Sequence, residues 1–318
     1  MFMHRVAIGI SVLTTTMYAS LMGAQDFPSK PVRIVTSGIG GSSDITARMV
    51  AQGITGGLGQ QVTVDNRAGG AVQGELVAKS PPDGHTTLIA GGTFWTFPLL
   101  QKTSYDPIRD FAPITLVETS VSVLVVHPSI PVKSTKQAVD FAKARPGQLN
   151  FPSSGSGSTS HLTMELFKTL AGVNLVHIPY KSNSLGMTAL IAGELQMSIP
   201  SVTSAAPHIK SGRLRALGVT SPQPSPLAPG LPPIAATVPG YEAVSMTGFF
   251  APAKTPTAII NRLNQEIVRY LRTPEAKEKF FSTGAEAVGS TPEYFGTALK
   301  EEIARLDKVV RAIGMRAE

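Results

Sequence analysis

The chain has 318 residues, of which 42% are hydrophobic and 15% charged, a composition typical of a globular protein with one large domain or two ordinary ones. Its formal net charge is +7, but the basic residues are dispersed, which argues against a nucleic-acid-binding protein because such proteins carry a basic stripe. The chain contains no cysteine, which excludes disulfides, thiol catalysis and cysteine-ligated metals.

Residues 1–24 have the pattern of a secretory signal peptide. Arg5 supplies a short basic region, residues 6–13 form an apolar stretch, and small residues follow up to Ala24. No acidic residue precedes Asp26, which argues against the alternative of an ordinary buried helix. We therefore expect export to the periplasm, with cleavage near Ala24.

The first part of the mature chain alternates strands and helices. Residues 32–36, 61–65 and 86–90 have the apolar pattern of strands, and two helix-like segments separate them, the first ending near Gly56 and Gly57. This β-α-β-α-β order predicts a parallel sheet with right-handed crossovers.

A second alternation starts at the apolar strand of residues 121–127, where the chain is expected to cross into another lobe. The predicted strands that follow are residues 149–151, 174–179, 195–199 and 214–220, with helices between them. Seven prolines between residues 222 and 239 predict an extended surface segment, and residues 244–250 predict a return strand.

Three threonine–proline pairs divide the C-terminal third into helices. The pairs are Thr255-Pro256, Thr273-Pro274 and Thr291-Pro292. Threonine is a favoured N-cap residue and proline a favoured first helical residue, so each pair predicts a helix start. The apolar stripes of these helices are expected to pack on the sheet of the first lobe.

Two glycine- and serine-rich loops each follow a predicted strand and open a predicted helix. We call residues 37–44 the first cradle and residues 153–161 the second cradle. A helix N-terminus presents unpaired N–H groups and a partial positive charge, which favours anions. Neither cradle contains a lysine or an arginine. Two such loops, far apart in sequence, predict two lobes that close on one small anion.

Taken together, short segments along the mature chain resemble the Bug family of periplasmic solute-binding receptors of tripartite tricarboxylate transporters. They are GGSSD (40–44), DNRAGG (65–70), PDG (82–84), YDP (105–107), ARPG (144–147), SGSGS (154–158) with His161, HIPYK (177–181), APAKTP (251–256) and LNQEI (263–267). Each segment is weak evidence alone, but their order and spacing are specific.

The resemblance implies an α/β, two-lobed periplasmic-binding-protein (flytrap) fold, each lobe a mixed, mostly parallel sheet flanked by helices. Residues 25–124 and 249–318 would form the first lobe and residues 125–248 the second. The protein would be a monomer without catalytic activity, metal or other cofactor. It would bind a small carboxylate between the lobes and deliver it to membrane permease subunits, without binding nucleic acid.

Carried onto this chain, the resemblance also implies which residues contact the ligand. Asp44 is expected to brace its loop or cap the helix, and His161 to orient the second cradle, rather than to hold the anion directly. Trp95 follows a strand end, so both a cleft-lining and a core position are open for it. The full candidate site is Ser37, Gly40, Gly41, Ser42, Asp44, Thr93, Trp95, Ser154, Gly155, Ser156, Ser158, His161 and Tyr180.

Two departures from the family pattern leave the identity of the ligand open. Residues 37–39 replace a run rich in proline and phenylalanine, and Ser182 replaces a glycine. An exported hydrolase that uses Ser156 or Ser158 with His161 is an alternative, although the loop lacks the Gly-x-Ser-x-Gly motif. A sensory co-receptor is another. The first cradle also approaches a dinucleotide fingerprint, but it lacks the third glycine.

Overall fold

The computed structural model of the protein describes residues 27–67 and 71–315. The predicted signal peptide and its cleavage site lie outside the described residues, as do the last three residues of the DNRAGG segment. Within the described part of the chain, no helix is both long enough and apolar enough to cross a membrane.

Eleven strands and ten helices are found among the described residues. The chain begins with β1 (Val32–Thr36), α1 (Ser42–Leu58), β2 (Val62–Asn66), α2 (Val72–Ala78), β3 (Thr86–Gly91), α3 (Gly92–Leu100) and β4 (Phe111–Ser120). It continues with β5 (Val123–Val126), α4 (Thr135–Lys143), β6 (Asn150–Ser153), α5 (Thr159–Ala171), β7 (Val176–Pro179), α6 (Asn183–Ile191), β8 (Met197–Ser198), α7 (Val202–Lys210) and β9 (Arg215–Val219). It ends with β10 (Ser245–Pro252), α8 (Thr257–Leu271), α9 (Pro274–Ser282), β11 (Glu286–Ala287) and α10 (Pro292–Ala312).

The first lobe is built on a six-stranded sheet in the order β11-β4-β10-β3-β1-β2. β1 pairs in parallel with β2 and β3, as the β-α-β-α-β pattern predicts, whereas β10 and β11 pair antiparallel. Successive side chains of a strand point to opposite faces, so Phe249 packs with α1 and α8 while Phe250 packs with α3 and α10. The sheet is therefore covered by helices on both faces.

The second lobe contains a three-stranded antiparallel sheet, β8-β5-β9, and the parallel pair β6-β7. The backbone N–H of Gln196 donates to the carbonyl of Asn150 at 3.1 Å, which joins the two sheets edge to edge. Fully buried Phe151 and Phe167 lie in the core on one face. Both lobes thus have mixed sheets, with more antiparallel neighbours than expected.

Two short crossings connect the lobes. β4 ends at Ser120 in the first sheet, and β5 starts at Val123 in the second. On the return, Ala243 still donates its N–H to Thr220 of the second lobe, and Ser245 already pairs with Ser120. The crossings are therefore residues 121–122 and 243–244, and the boundaries expected at 124/125 and 248/249 fall inside strands.

The C-terminal helix α10 belongs to both lobes rather than to the first lobe alone. Its start contributes Phe295 to the core of the first lobe, and its end buries Val309 and Val310 in the core of the second. A helix of 21 residues is about 30 Å long, which is enough to reach both. This helix is a third physical link between the lobes.

Two of the three predicted helix caps are confirmed. The hydroxyls of Thr273 and Thr291 accept the backbone N–H three residues on, and proline follows each of them at the first helical position. The third differs, because the Thr255 hydroxyl donates to the carbonyl of Pro252 at 2.8 Å and α8 starts at Thr257. Thr255 therefore closes a turn rather than capping the helix.

Candidate functional site

Five helices begin at the carboxyl ends of strands that face the space between the lobes. In the first lobe α1 and α3 follow β1 and β3, and in the second lobe α5, α6 and α7 follow β6, β7 and β8. The junction of β3 and α3 adjoins both cradles: a Cβ at Gly91 would lie 3.5 Å from Ser43 Oγ, and a Cβ at Gly92 would lie 3.9 Å from Thr159 Oγ1. Ligands of α/β folds bind at such carboxyl ends.

Two adjoining cavities open at this place. The α3 cavity, of about 740 Å³, lies between α3 and the second cradle. The α7 cavity, of about 650 Å³, lies among the helix starts of the second lobe and reaches Ser122 in one crossing and Ser245 directly after the other. Thr159, Ser160 and Asn183 line both cavities. Each has the volume of a small-molecule pocket.

In the first cradle, the carboxylate of Asp44 occupies the position at the start of α1 where an anion would bind. Asp44, which is 3% exposed, accepts the backbone N–H of Gly40 at 2.9 Å and the side-chain amide of Asn66 at 2.8 Å. Arg48 lies 3.0 Å from the same carboxylate. Burial raises the pKa of Asp44, but these hydrogen bonds outweigh it and the pKa lies below its usual value. Asp44 therefore braces the loop, as expected.

The second cradle contains no acidic residue. The Ser158 hydroxyl caps α5 by accepting the N–H of His161, and it donates to the Gly155 carbonyl at 2.7 Å. Gly155 and Gly157 have φ values of 117° and 78°, conformations that favour glycine. Among the described residues the Ser156 hydroxyl has no hydrogen-bond partner, and it is exposed to the α3 cavity. This loop thus presents free donors to the cavity.

His161 lies behind the second cradle rather than in either cavity. Its Nδ1 accepts the N–H of Gly157 at 3.1 Å, so the neutral ring carries its proton on Nε2, which lies 3.5 Å from Glu165. The ring is 5% exposed and stacks on His177 with 3.9 Å between centroids. Both ring nitrogens therefore have structural partners, and His161 orients the loop.

The geometry does not support the alternative of a serine hydrolase. A general base must lie within hydrogen-bonding distance of the nucleophile. Within residues 27–67 and 71–315, neither Ser156 Oγ nor Ser158 Oγ is hydrogen-bonded to the ring of His161.

The charges near His161 keep this region in defined protonation states. Burial, together with the neighbouring His161 and Lys168, lowers the pKa of His177 to about 4, against the opposing effect of Glu165. Burial raises the pKa of Glu165, but hydrogen bonds from His161 and Lys168 outweigh it and lower that pKa overall. At neutral pH the second cradle therefore rests on a neutral His177 and an ionised Glu165.

The predicted site residues fall into three groups. Thr93, Ser154, Ser156 and Ser158 line the α3 cavity together. Asp44 and His161 support the two cradles, as described above. The remaining residues are outside both cavity linings: Ser37, Gly40, Gly41 and Ser42 on the first cradle, Gly155 at the back of the second, Trp95 in the first-lobe core, and Tyr180 against the second-lobe core.

Several cavity residues escaped the sequence analysis. Thr96, Phe97 and Leu100 line the α3 cavity from α3, a helix that was not predicted because its run of nine residues contains a proline and has no polar face. Residues of α6 and α7 that line the α7 cavity were also missed. The sequence did carry a signal for these two helices, because a serine N-cap precedes each of them, at Ser182 and Ser201.

The chain matches proteins of known family over nearly its whole length. Residues 46–315 match the sequence model of the tripartite tricarboxylate transporter family receptor, TctC. The protein BugT from Bordetella pertussis is 33% identical over 316 residues, an alignment that covers 97% of each chain.

Solved structures of similar proteins resemble this chain over most of its length. The structure of an R. palustris protein with adipate has a TM-score of 0.76 and 34% identity, covering 92% of this chain and 100% of that one. MatC from Rhodopseudomonas palustris with bound malate has a TM-score of 0.71 and 27% identity, covering 89% of this chain and 100% of that one.

Proposed function

The chain belongs to the tripartite tricarboxylate transporter receptor family, and from this premise we propose that it captures a small carboxylate between its lobes and delivers it to the membrane subunits of a tripartite transporter. One observation supports a carboxylate as the ligand. The starts of α3 and α5 face each other across the α3 cavity, which is lined by hydroxyls and, among the described residues, by no acidic side chain. Such a site attracts an anion through N–H and O–H donors.

The ligands of two structural neighbours support this class. Adipate and malate, named with those structures, are both small dicarboxylates. Carboxylate oxygens accept several hydrogen bonds at once, and hydrogen bonds to charged groups are about twice as strong as neutral ones. A cavity rich in free donors therefore suits a carboxylate better than a neutral sugar.

In the proposed complex each lobe contributes one set of donors. The first lobe would offer Thr93 and, on closure, the first-cradle residues Ser37, Gly40, Gly41 and Ser42. The second lobe would offer Ser154, Gly155, Ser156 and Ser158. Closure would bend the crossings at residues 121–122 and 243–244, and it would be driven by the higher affinity of the closed form for the ligand.

The proposal also covers the cellular location, the oligomeric state and the partner of the protein. Residues 1–24 would direct it to the periplasm and be removed near Ala24. The protein would act as a monomer, without catalysis, and the closed form would be the one that the permease recognises. A sensory partner in place of the permease would need the same closed form.

The proposal is tested by calorimetry on protein that has been unfolded and refolded to remove any co-purified acid. The panel contains mono-, di- and tricarboxylates, acidic amino acids and aromatic acids, with neutral sugars and NAD as controls. Ser156→Ala and Thr93→Ala are compared with Ser104→Ala, since Ser104 is exposed and outside both cavities. Saturation at about 100 times the Kd stabilises a protein by about 2.7 kcal/mol, so a thermal shift accompanies binding.

We expect one class of carboxylates to bind, and we expect both cavity variants to lose about tenfold in affinity while Ser104→Ala keeps it. Binding of no acid, or of NAD alone, contradicts the proposal. Turnover of an ester that disappears in Ser156→Ala would instead identify a hydrolase.

A further inference from the structure

The α7 cavity differs from the α3 cavity in its charge. None of the described residues that line the α3 cavity is ionisable, whereas the α7 cavity is lined by Arg213 and His208. No aspartate or glutamate of the described chain lines either cavity. Among the described residues that line the two cavities, Arg213 is therefore the permanently charged cation, and no carboxylate of these linings neutralises it.

Within the described residues, the terminal guanidinium nitrogens of Arg213 have no hydrogen-bond partner, and Nε is its bonded donor. Its Nε donates to Ser211 Oγ at 3.2 Å, which orients the group, and within residues 27–67 and 71–315 it forms no ion pair. Arg215, two residues later, is different, because its Nη1 donates to the carbonyls of Ile130 and Val132. The two terminal nitrogens of Arg213 match the two oxygens of a carboxylate, a geometry that lysine cannot reproduce.

His208 adds a second, independent observation. Its Nδ1 is buried and has no hydrogen-bond partner among the described residues, although the side chain lines the α7 cavity. Because Nδ1 has no accessible surface, a ligand in the cavity meets the other edge of the imidazole rather than this nitrogen.

Apolar side chains share the lining of the α7 cavity with these groups. Met187 and Ile191 of α6, with Ile199 after β8, line the α7 cavity together with Pro152. Thr159 and Ser160 at the start of α5 line both cavities. The lining of the α7 cavity thus combines hydroxyl donors at a helix start, apolar side chains and a cation.

We propose that Arg213 and His208 form a second anion subsite, which binds the distal carboxylate of a ligand whose first carboxylate is held at the second cradle. This inference rests on the proposed function and adds the residues that determine specificity. The second carboxylate of a diacid forms an ion pair with Arg213, whereas with the monoacid of the same length Arg213 stays hydrated and unpaired. The subsite therefore selects diacids with an apolar middle over their monoacid counterparts.

The experiment measures Kd by calorimetry on the mature protein, recovered from the periplasmic fraction and refolded to remove bound acids. The probes are matched pairs: adipate with hexanoate, succinate with butyrate, and terephthalate with benzoate. The pair with the tightest diacid is then measured on Arg213→Gln, Arg213→Lys and His208→Gln. Lys210→Gln is the matched control, since it removes the same charge from an exposed position on α7 that lines neither cavity.

We expect the wild-type protein to prefer the diacid by at least about tenfold, and Arg213→Gln to lose about tenfold to a hundredfold for the diacid only. Arg213→Lys recovers part of this loss, His208→Gln weakens the diacid by a smaller factor, and Lys210→Gln changes neither acid by more than about twofold.

Equal losses for both acids in Arg213→Gln, or no loss, overturn the subsite and leave the receptor proposal intact. Failure of the wild-type protein to bind any acid overturns both.

Discussion

The backbone N–H of Gly40 donates to the carboxylate of Asp44 at 2.9 Å, so an ionised side chain of the protein occupies the start of α1. The corresponding position in the second cradle has no acid, because Ser158 caps α5 with a neutral hydroxyl. The two loops look alike in sequence but differ in charge. In the proposed function, the start of α5 is therefore the one that no carboxylate of the protein competes for.

Asp44→Asn tests this brace. Asparagine keeps the shape but loses the charge, so we expect a loss of about 1–3 kcal/mol in the free energy of unfolding at pH 7. The folded pKa lies below the usual value of 3.8, so the stabilisation is present above pH 4 and disappears as the pH falls through the folded pKa. Denaturant unfolding at pH 7 and pH 3 measures this.

Asp140→Asn is the control for Asp44→Asn, because Asp140 pairs with Lys136 with 59% of its side chain exposed. Exposed pairs contribute less than about 1 kcal/mol. Equal stability of Asp44→Asn and wild-type protein at pH 7 would show that the loop does not depend on the carboxylate.

The neutral His177 predicts a dependence of stability on pH. Burial and neighbouring cations hold its folded pKa at about 4, whereas an unfolded histidine titrates near 6.5. Between these values the unfolded chain binds the proton and the folded chain does not, so stability falls as the pH falls. The slope is at most about 1.4 kcal/mol per pH unit. His177→Gln should flatten it in denaturant unfolding between pH 7 and pH 4.

The control for this slope is His127→Gln, which removes an imidazole whose hydrogen-bond partner in the described part of the chain is the nearby Ser129. An unchanged slope in His177→Gln would show that other groups carry the acid sensitivity.

The sequence was sufficient to predict the family and the two-lobed fold, both of which agree with the matched proteins. Strongly patterned elements such as β1, α8 and α10 were predicted because their apolar periodicity is set by the chain itself. α3 was missed because a helix that is buried on most sides shows no amphipathic period.

Long-range packing explains the other differences. Ile234 and Val238 are buried although seven prolines surround them, because the N–H of Val219 donates to Pro232 and ties this segment to β9. The distribution of charge in the cleft was equally hidden, since Arg213 lies far in sequence from both cradles. Local patterns locate loops, but tertiary contacts decide which side chains share a cavity.

Replacing either of two neighbouring glycines of α1 with alanine should change the free energy of unfolding, but in opposite directions. A Cβ at Gly53 would lie 2.2 Å from the ring of Tyr270, which is buried and cannot move easily, whereas a Cβ at Gly56 has nothing within 4 Å. We expect Gly53→Ala to lose about 1–3 kcal/mol by overpacking. Gly56→Ala should gain about 0.5–1 kcal/mol, because alanine favours the helix. Thermal unfolding of both variants tests this, and equal shifts would contradict the α1–α8 contact.

Trp95 is the one tryptophan of the chain, and it makes the first-lobe core visible to fluorescence. It is 1% exposed and packs edge-on against Phe94, so its emission should be blue-shifted and protected from acrylamide. Its Nε1 is buried without a partner among the described residues, so Trp95→Phe removes an unsatisfied donor as well as some volume. We therefore expect Trp95→Phe to change the free energy of unfolding by less than about 1 kcal/mol, against about 3–5 kcal/mol for Trp95→Ala. Red-shifted, readily quenched emission in the wild-type protein would instead place Trp95 in the cleft.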